Sequence, residues 1–156
     1  MKYKMKYKLV IFDWEGTLGD SLGQTMIPGA EGCLTHLQQS GITLAIATNK
    51  RDTSLQRDLI FFGLTDVFQV ARSANRTAPK PDPQMLLEIL QETGVDPESA
   101  LMIGDSESDM AMAHTLGIKA IGIDLSGQYG ALLRTAGACH VVRDYEALMQ
   151  YLKQLD

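Results

Sequence analysis

The sequence predicts an α/β domain built on a mostly parallel sheet. Three observations carry this. Short, continuous apolar runs recur along the chain, as strands buried on both faces require. Each run ends in a polar cluster, and amphipathic segments separate the runs in a repeating β-α order.

The first run is Leu9-Val10-Ile11-Phe12, ending at Asp13. Residues 30–40 then place Cys33, Leu34 and Leu37 on one helical stripe, with Gly41 as the stop. Thr43–Ala47 is the second strand, leading into Thr48-Asn49-Lys50. Residues 52–62 form a helix carrying Leu55, Leu59 and Phe62 before Gly63. Val67–Val70 is the third strand, leading into a loop with Arg72, Asn75 and Arg76. Pro83 starts a helix over 83–93 that stops at Gly94. Ala100–Ile103 is the fourth strand, followed by Gly104-Asp105-Ser106 and a helix over 107–116 before Gly117. Lys119–Ile123 and His140–Val142 complete the strands, with helices over 128–136 and 144–155.

Composition bounds the function. At 156 residues the chain is expected to be one domain, large enough to fold without a metal or disulfide staple. With 45% hydrophobic and 21% charged residues, disorder and coiled coil are excluded. No apolar run reaches the roughly 18–20 residues of a membrane span. The net charge of -5 disfavours general nucleic-acid binding. Cys33 and Cys139 form no metal or redox motif and read as buried, reduced thiols. The basic segment Met1–Lys8 lacks the apolar run and cleavage site of a signal peptide, so a cytoplasmic protein is expected.

In parallel sheets of this kind ligands bind at the carboxyl ends of the strands. There the sequence places Asp13 and Glu15, Thr48 and Asn49, and Asp105 and Asp109, with Lys80 on a loop before a helix. Alone, Asp13 reads as a turn or cap residue. Glu15 adds a second carboxylate, and Gly16 permits a sharp turn. Asp105 and Asp109 lie one helical turn apart and face the same way. Clustered carboxylates need a cation or a shared proton, and all-oxygen donors suit Mg2+ better than zinc. Such a nest beside a lysine and a threonine is suited to a phosphoryl group. Trp14, between the two carboxylates, is expected to pack beneath the site. His36, His114 and His140 are expected to be structural or exposed, without partners. Lys50 and Arg51, and the Arg72/Asn75/Arg76 cluster, are candidate substrate contacts. The methionines read as core filler.

The sequence resembles the haloacid dehalogenase-like phosphohydrolases. Phe12-Asp13-Trp14-Glu15-Gly16-Thr17-Leu18, Ala47-Thr48-Asn49, Lys80-Pro81-Asp82-Pro83 and Gly104-Asp105-Ser106-Glu107-Ser108-Asp109 match that family's four motifs in order. The last motif continues, through Leu116-Gly117, as in the phosphoglycolate-phosphatase-like branch. The resemblance implies a three-layer Rossmann-like core over residues 1–156. It implies Mg2+-dependent phosphomonoester hydrolysis, with Asp13 as nucleophile and Glu15 as general acid/base. Thr48, Asn49 and Lys80 would hold the substrate phosphate. Asp13, the Glu15 main-chain carbonyl and Asp105 would hold Mg2+, and Asp109 would act directly or through water.

Glu15 departs from the family pattern, which has aspartate there. The extra methylene leaves a catalytically weak or inactive phosphate-binding protein as the alternative. A signalling receiver domain does not fit, because its phosphorylated aspartate follows the third strand. The segments from Ser21 to Thr48 and from Asn49 to Lys80 are too short for an inserted cap domain. An uncapped site implies either a lid from a second copy or a bulky phosphate carrier. A small phosphorylated substrate is the first expectation.

Overall fold

The computed structural model describes residues 6–155. Its strands are β1 (Leu9–Phe12), β2 (Thr43–Thr48), β3 (Val70–Ser73), β4 (Ala100–Gly104), β5 (Lys119–Ile123) and β6 (His140–Val142). Its helices are α1 (Ala30–Gln39), α2 (Asp52–Phe61), α3 (Gln84–Thr93), α4 (Glu107–Thr115), α5 (Gly130–Thr135) and α6 (Tyr145–Gln154). The strands form one sheet in the order β3-β2-β1-β4-β5-β6, with every pair parallel.

Alternation along β1 divides the core into two layers. Val10 and Phe12 pack with Leu34 and Leu37 of α1, Leu55 and Leu59 of α2, and Leu148 and Leu152 of α6. Leu9 and Ile11 face Met85, Leu86 and Ile89 of α3, Met110 and Met112 of α4, and Leu133 of α5. The result is the expected three-layer sandwich. The chain winds outward from β1 through β2 to β3, then returns to the other edge of β1 as β4. That reversal opens a crevice at the carboxyl ends of β1 and β4.

The third strand differs from expectation: β3 begins at Val70, where the expected strand ends. Val67 N–H closes a turn onto the Leu64 carbonyl, and the register with β2 runs from Ala45–Val70 to Thr48–Ser73. The polar Arg72 is tolerated because β3 is an edge strand. Between β1 and α1, residues 13–29 contain only turns and two isolated bridges, Glu15–Gly19 and Gly19–Met26, so no domain is inserted there.

Two smaller expectations are corrected. Cys33 is buried, and burial pushes its thiol up to about 12, but Cys139 is exposed because it leads into edge strand β6. His140 has a partner: its ring stacks on Tyr151 at 3.8 Å. Residues 1–5 of the basic lead-in lie outside the described residues; within it, Tyr7 is buried while Lys6 and Lys8 are exposed. No described helix is long and apolar enough to cross a membrane.

Candidate active site

The crevice gathers residues from four strand ends or loops. Asp13 directly continues β1, its N–H still bonded to the Ile103 carbonyl of β4 at 3.0 Å. Its Oδ1 accepts from Trp14 N–H at 2.8 Å and from Lys80 Nζ at 2.8 Å. Lys80 Nζ also donates to Asp109 Oδ1 at 2.5 Å, so one buried ammonium bridges two buried carboxylates. Carboxylate oxygens of Asp13, Asp105 and Asp109 lie within 4.8 Å of one another.

Two glycines make the convergence possible. Gly16 has φ +82, and a Cβ there would lie 2.3 Å from Asp105 Oδ2. A Cβ on Gly104 would lie 2.3 Å from Asp109 Oδ2. Any side chain at either position would displace a carboxylate of the nest. Asp109 is held further by a capping box at the start of α4. Its Oδ2 accepts from Ser106 Oγ at 2.9 Å, and its N–H donates to Ser106 Oγ at 3.3 Å.

The electrostatics are those of a site short of positive charge. Burial raises Asp13 to about 7; Lys80 pulls it down and Asp105 pushes it up. Burial also raises Asp109 to about 6, aided by the charge of Asp13 and opposed by Lys80. For Lys80, burial lowers the ammonium, but Asp13 and Asp109 outweigh this and leave it raised. One ammonium therefore serves three carboxylates, and a divalent cation would relieve the excess. The donor set is all hard oxygen, which fits Mg2+.

Thr48 and Asn49 are oriented as donors. Thr48 Oγ1 accepts from Lys50 N–H at 3.0 Å, which leaves its hydroxyl proton free to donate. Asn49 Oδ1 accepts from Lys80 N–H at 2.9 Å, so its exposed amide presents NH2. Across this contact the Lys80–Pro81 bond is cis. Glu15 is exposed, and no hydrogen bond or ion pair holds its carboxylate among the described residues. Trp14 is fully buried beneath the site, as alternation predicts.

Other candidates are engaged in the fold. Arg72 pairs with Glu88 and Glu92 of α3. Arg76 pairs with Asp52, and Asn75 accepts from the Asp52 N–H at 2.8 Å, bracing the start of α2. Lys50 pairs with Asp58 at 3.0 Å, and Arg51 is the exposed N-cap of α2.

Sequence reasoning overlooked three residues. Thr17 Oγ1 lies 3.2 Å from Asp105 Oδ1 and 3.5 Å from Asp13 Oδ2. Its single proton can serve only one of them, and the shorter contact favours Asp105. Tyr145 donates its buried hydroxyl to the Thr17 carbonyl at 2.6 Å. Asp58 left a readable signal, a charge inside the apolar stripe Leu55, Leu59, Phe62. Tyr145 left none, because its partner is distant in sequence.

This fold and this constellation define a hydrolase core of one family. Residues 13–123 match the model for haloacid dehalogenase-like hydrolases, and the chain belongs to that family. A phosphoglycolate phosphatase of Psychrobacter arcticus is 31% identical over 144 residues, covering 92% of this chain and 62% of the relative. One from Rhodospirillum rubrum is 32% identical over 131 residues, covering 83% and 54%. The chain thus spans little more than half the length of these curated relatives. A solved haloacid dehalogenase-family hydrolase of Deinococcus radiodurans, containing phosphate and sodium, superposes with a TM-score of 0.87 at 19% identity, covering 97% of each chain. That similarity supports the fold. A phosphatase structure from Thermococcus onnurineus has a TM-score of 0.74 at 29% identity, covering 82% of this chain and 58% of that one.

Proposed function

We propose that the chain is a Mg2+-dependent phosphomonoester hydrolase acting through an aspartyl-phosphate on Asp13. The observation that carries this is the Asp13 carboxylate held 2.8 Å from Lys80 Nζ, inside a cluster of three carboxylates. Asp13, Asp105 and the Glu15 main-chain carbonyl are the residues to hold Mg2+. Asp109 has one oxygen on Lys80 and the other on Ser106, so its contribution runs through Lys80 and water. When bound, the metal neutralises phosphoryl charge and orients the phosphate.

The Asp13 carboxylate attacks phosphorus, and the bond from phosphorus to the leaving oxygen breaks. Glu15 gives that oxygen a proton. Glu15 then takes a proton from water, whose oxygen attacks the phosphorus of the aspartyl-phosphate and releases phosphate and Asp13. The Thr48 hydroxyl and the Asn49 amide hold phosphoryl oxygens through the protons left free above, and Lys80 offsets their charge. The relatives' names make phosphoglycolate the first substrate to assay, within a class of small phosphorylated metabolites. Nucleic acid is disfavoured by the acidic balance. We place the protein in the cytoplasm, in keeping with its free cysteines, and a second copy is a candidate lid over the open crevice.

A phosphate-release screen across phosphorylated metabolites, with Mg2+ and after exhaustive chelation, tests the proposal. Metal-dependent release from at least one substrate is expected. Full activity after chelation would overturn the metal assignment. The second reading, a phosphate-binding protein without turnover, is favoured by the unanchored Glu15 carboxylate. Beryllium fluoride binding in the absence of any hydrolysis would establish it.

A further inference from the structure

The mechanism leaves one buried carboxylate near the site unused. Asp58, in the middle of α2, is 5% exposed. Its Oδ2 accepts from Trp14 Nε1 at 3.0 Å and from Lys50 Nζ at 3.0 Å. These donors belong to the two loops that carry the reacting groups. Trp14 lies between Asp13 and Glu15. Lys50 follows Asn49, and its N–H donates to Thr48 Oγ1. The segment beyond the turn, bridged at Gly19–Met26, packs on the same groups. A Cβ on Gly23 would lie 3.3 Å from Asp58 Oδ1, and one on Gly19 would lie 3.0 Å from the Trp14 indole. Packing alone would be served by an apolar residue, as at Leu55 and Leu59. A buried carboxylate is stable here only with both donors in place.

We propose that Asp58 is a positioning residue that locks the Thr48–Lys50 loop to the Asp13–Glu15 turn. It thereby fixes the phosphate donors relative to the nucleophile and the acid. The inference rests on the hydrolase reading above.

The test uses the full chain with Asp58→Asn, Lys50→Met and the double variant, assayed with nitrophenyl phosphate and Mg2+. Asparagine keeps an acceptor for Trp14 but loses the ion pair with Lys50. A misplacement approaching about 1 Å lowers kcat by about 10- to 100-fold, with KM nearly unchanged. Lys50→Met should do the same, and the double variant should lose no more than either single one. Trp14 is the only tryptophan, so its emission reports on the turn directly. Beryllium fluoride with Mg2+ should shift that emission in the unsubstituted protein and much less in the variants.

Unchanged kcat in folded Asp58→Asn protein, or additive losses in the double variant, would overturn the proposal. So would the absence of an emission shift in the unsubstituted protein. Failure of the hydrolase reading looks different: no nitrophenolate is released, while the emission shift persists and remains sensitive to Asp58.

Discussion

Asp13 and Glu15 stand two positions apart and meet opposite environments. Asp13 is buried against Lys80, and Glu15 is exposed with nothing holding its carboxylate. Asp13→Asn should abolish phosphate release while leaving the circular dichroism spectrum unchanged, since an amide is nearly isosteric but cannot attack phosphorus. Residual turnover in the purified variant would remove Asp13 from the nucleophile role. Glu15→Asp draws the acid back by one methylene from the leaving oxygen, and steady-state kcat should fall by about 10- to 100-fold. A rise would instead mark the wild-type protein as catalytically impaired. The raised carboxylates set a pH dependence. Between about pH 4 and 7 the native protein keeps protons on Asp13 and Asp109 that the unfolded chain has released, so metal-free stability falls as pH rises through that window. Lys80, raised above its ordinary value, stabilises throughout this range. Melting temperature without metal should therefore be lower at pH 8 than at pH 5, and saturating Mg2+ should narrow the gap; a flat profile would count against the buried, under-neutralised nest. At this scale the sequence exposed the residues whose identity is unusual at a strand end. It concealed Thr17 and Tyr145, whose roles depend on a contact made only after folding.

Among the elements, α4 couples helix stability to the site most directly. Ser106 caps the helix and holds the oxygen of Asp109 that faces away from Lys80. Ser106→Ala should destabilise the protein by about 1 kcal/mol, read from the denaturation midpoint, in line with other lost N-caps. It should also lower kcat, because Asp109 would no longer be fixed against Lys80. A stability loss without any change in rate would confine Ser106 to capping. Strands β1, β2, β4 and β5 are buried along nearly their whole length and are legible as apolar runs, whereas the edge strand β6 is legible from its short run His140–Val142 alone. The misplaced one, β3, is an edge strand that carries the polar Arg72, so its pattern is weak, and the apolar Val67-Phe68 before it lies outside the strand. The same shift takes Arg72 out of the expected loop: as part of β3 it pairs with two glutamates of α3.

For the molecule as a whole, the sheet order places the crevice at the reversal between β1 and β4. The short segment 13–29 holds only turns and isolated bridges and places no inserted domain over that crevice. Enzymes select substrates partly by enclosing them. Across a panel of small phosphomonoesters with unlike leaving groups, kcat/KM should accordingly vary little at low protein concentration. Strong discrimination under those conditions would mean that something other than the crevice walls encloses the substrate. The parallel order also bears on synthesis at the ribosome. Asp13 and Thr17 emerge before their partners: Thr17 meets Asp105 across a separation of 88 residues, and Lys80 meets Asp13 across 67. Until β4 is made, Leu9-Val10-Ile11-Phe12 presents an unpaired apolar edge at what will be the middle of the sheet. A nascent chain halted between β3 and β4 thus exposes an edge on which other chains can pair.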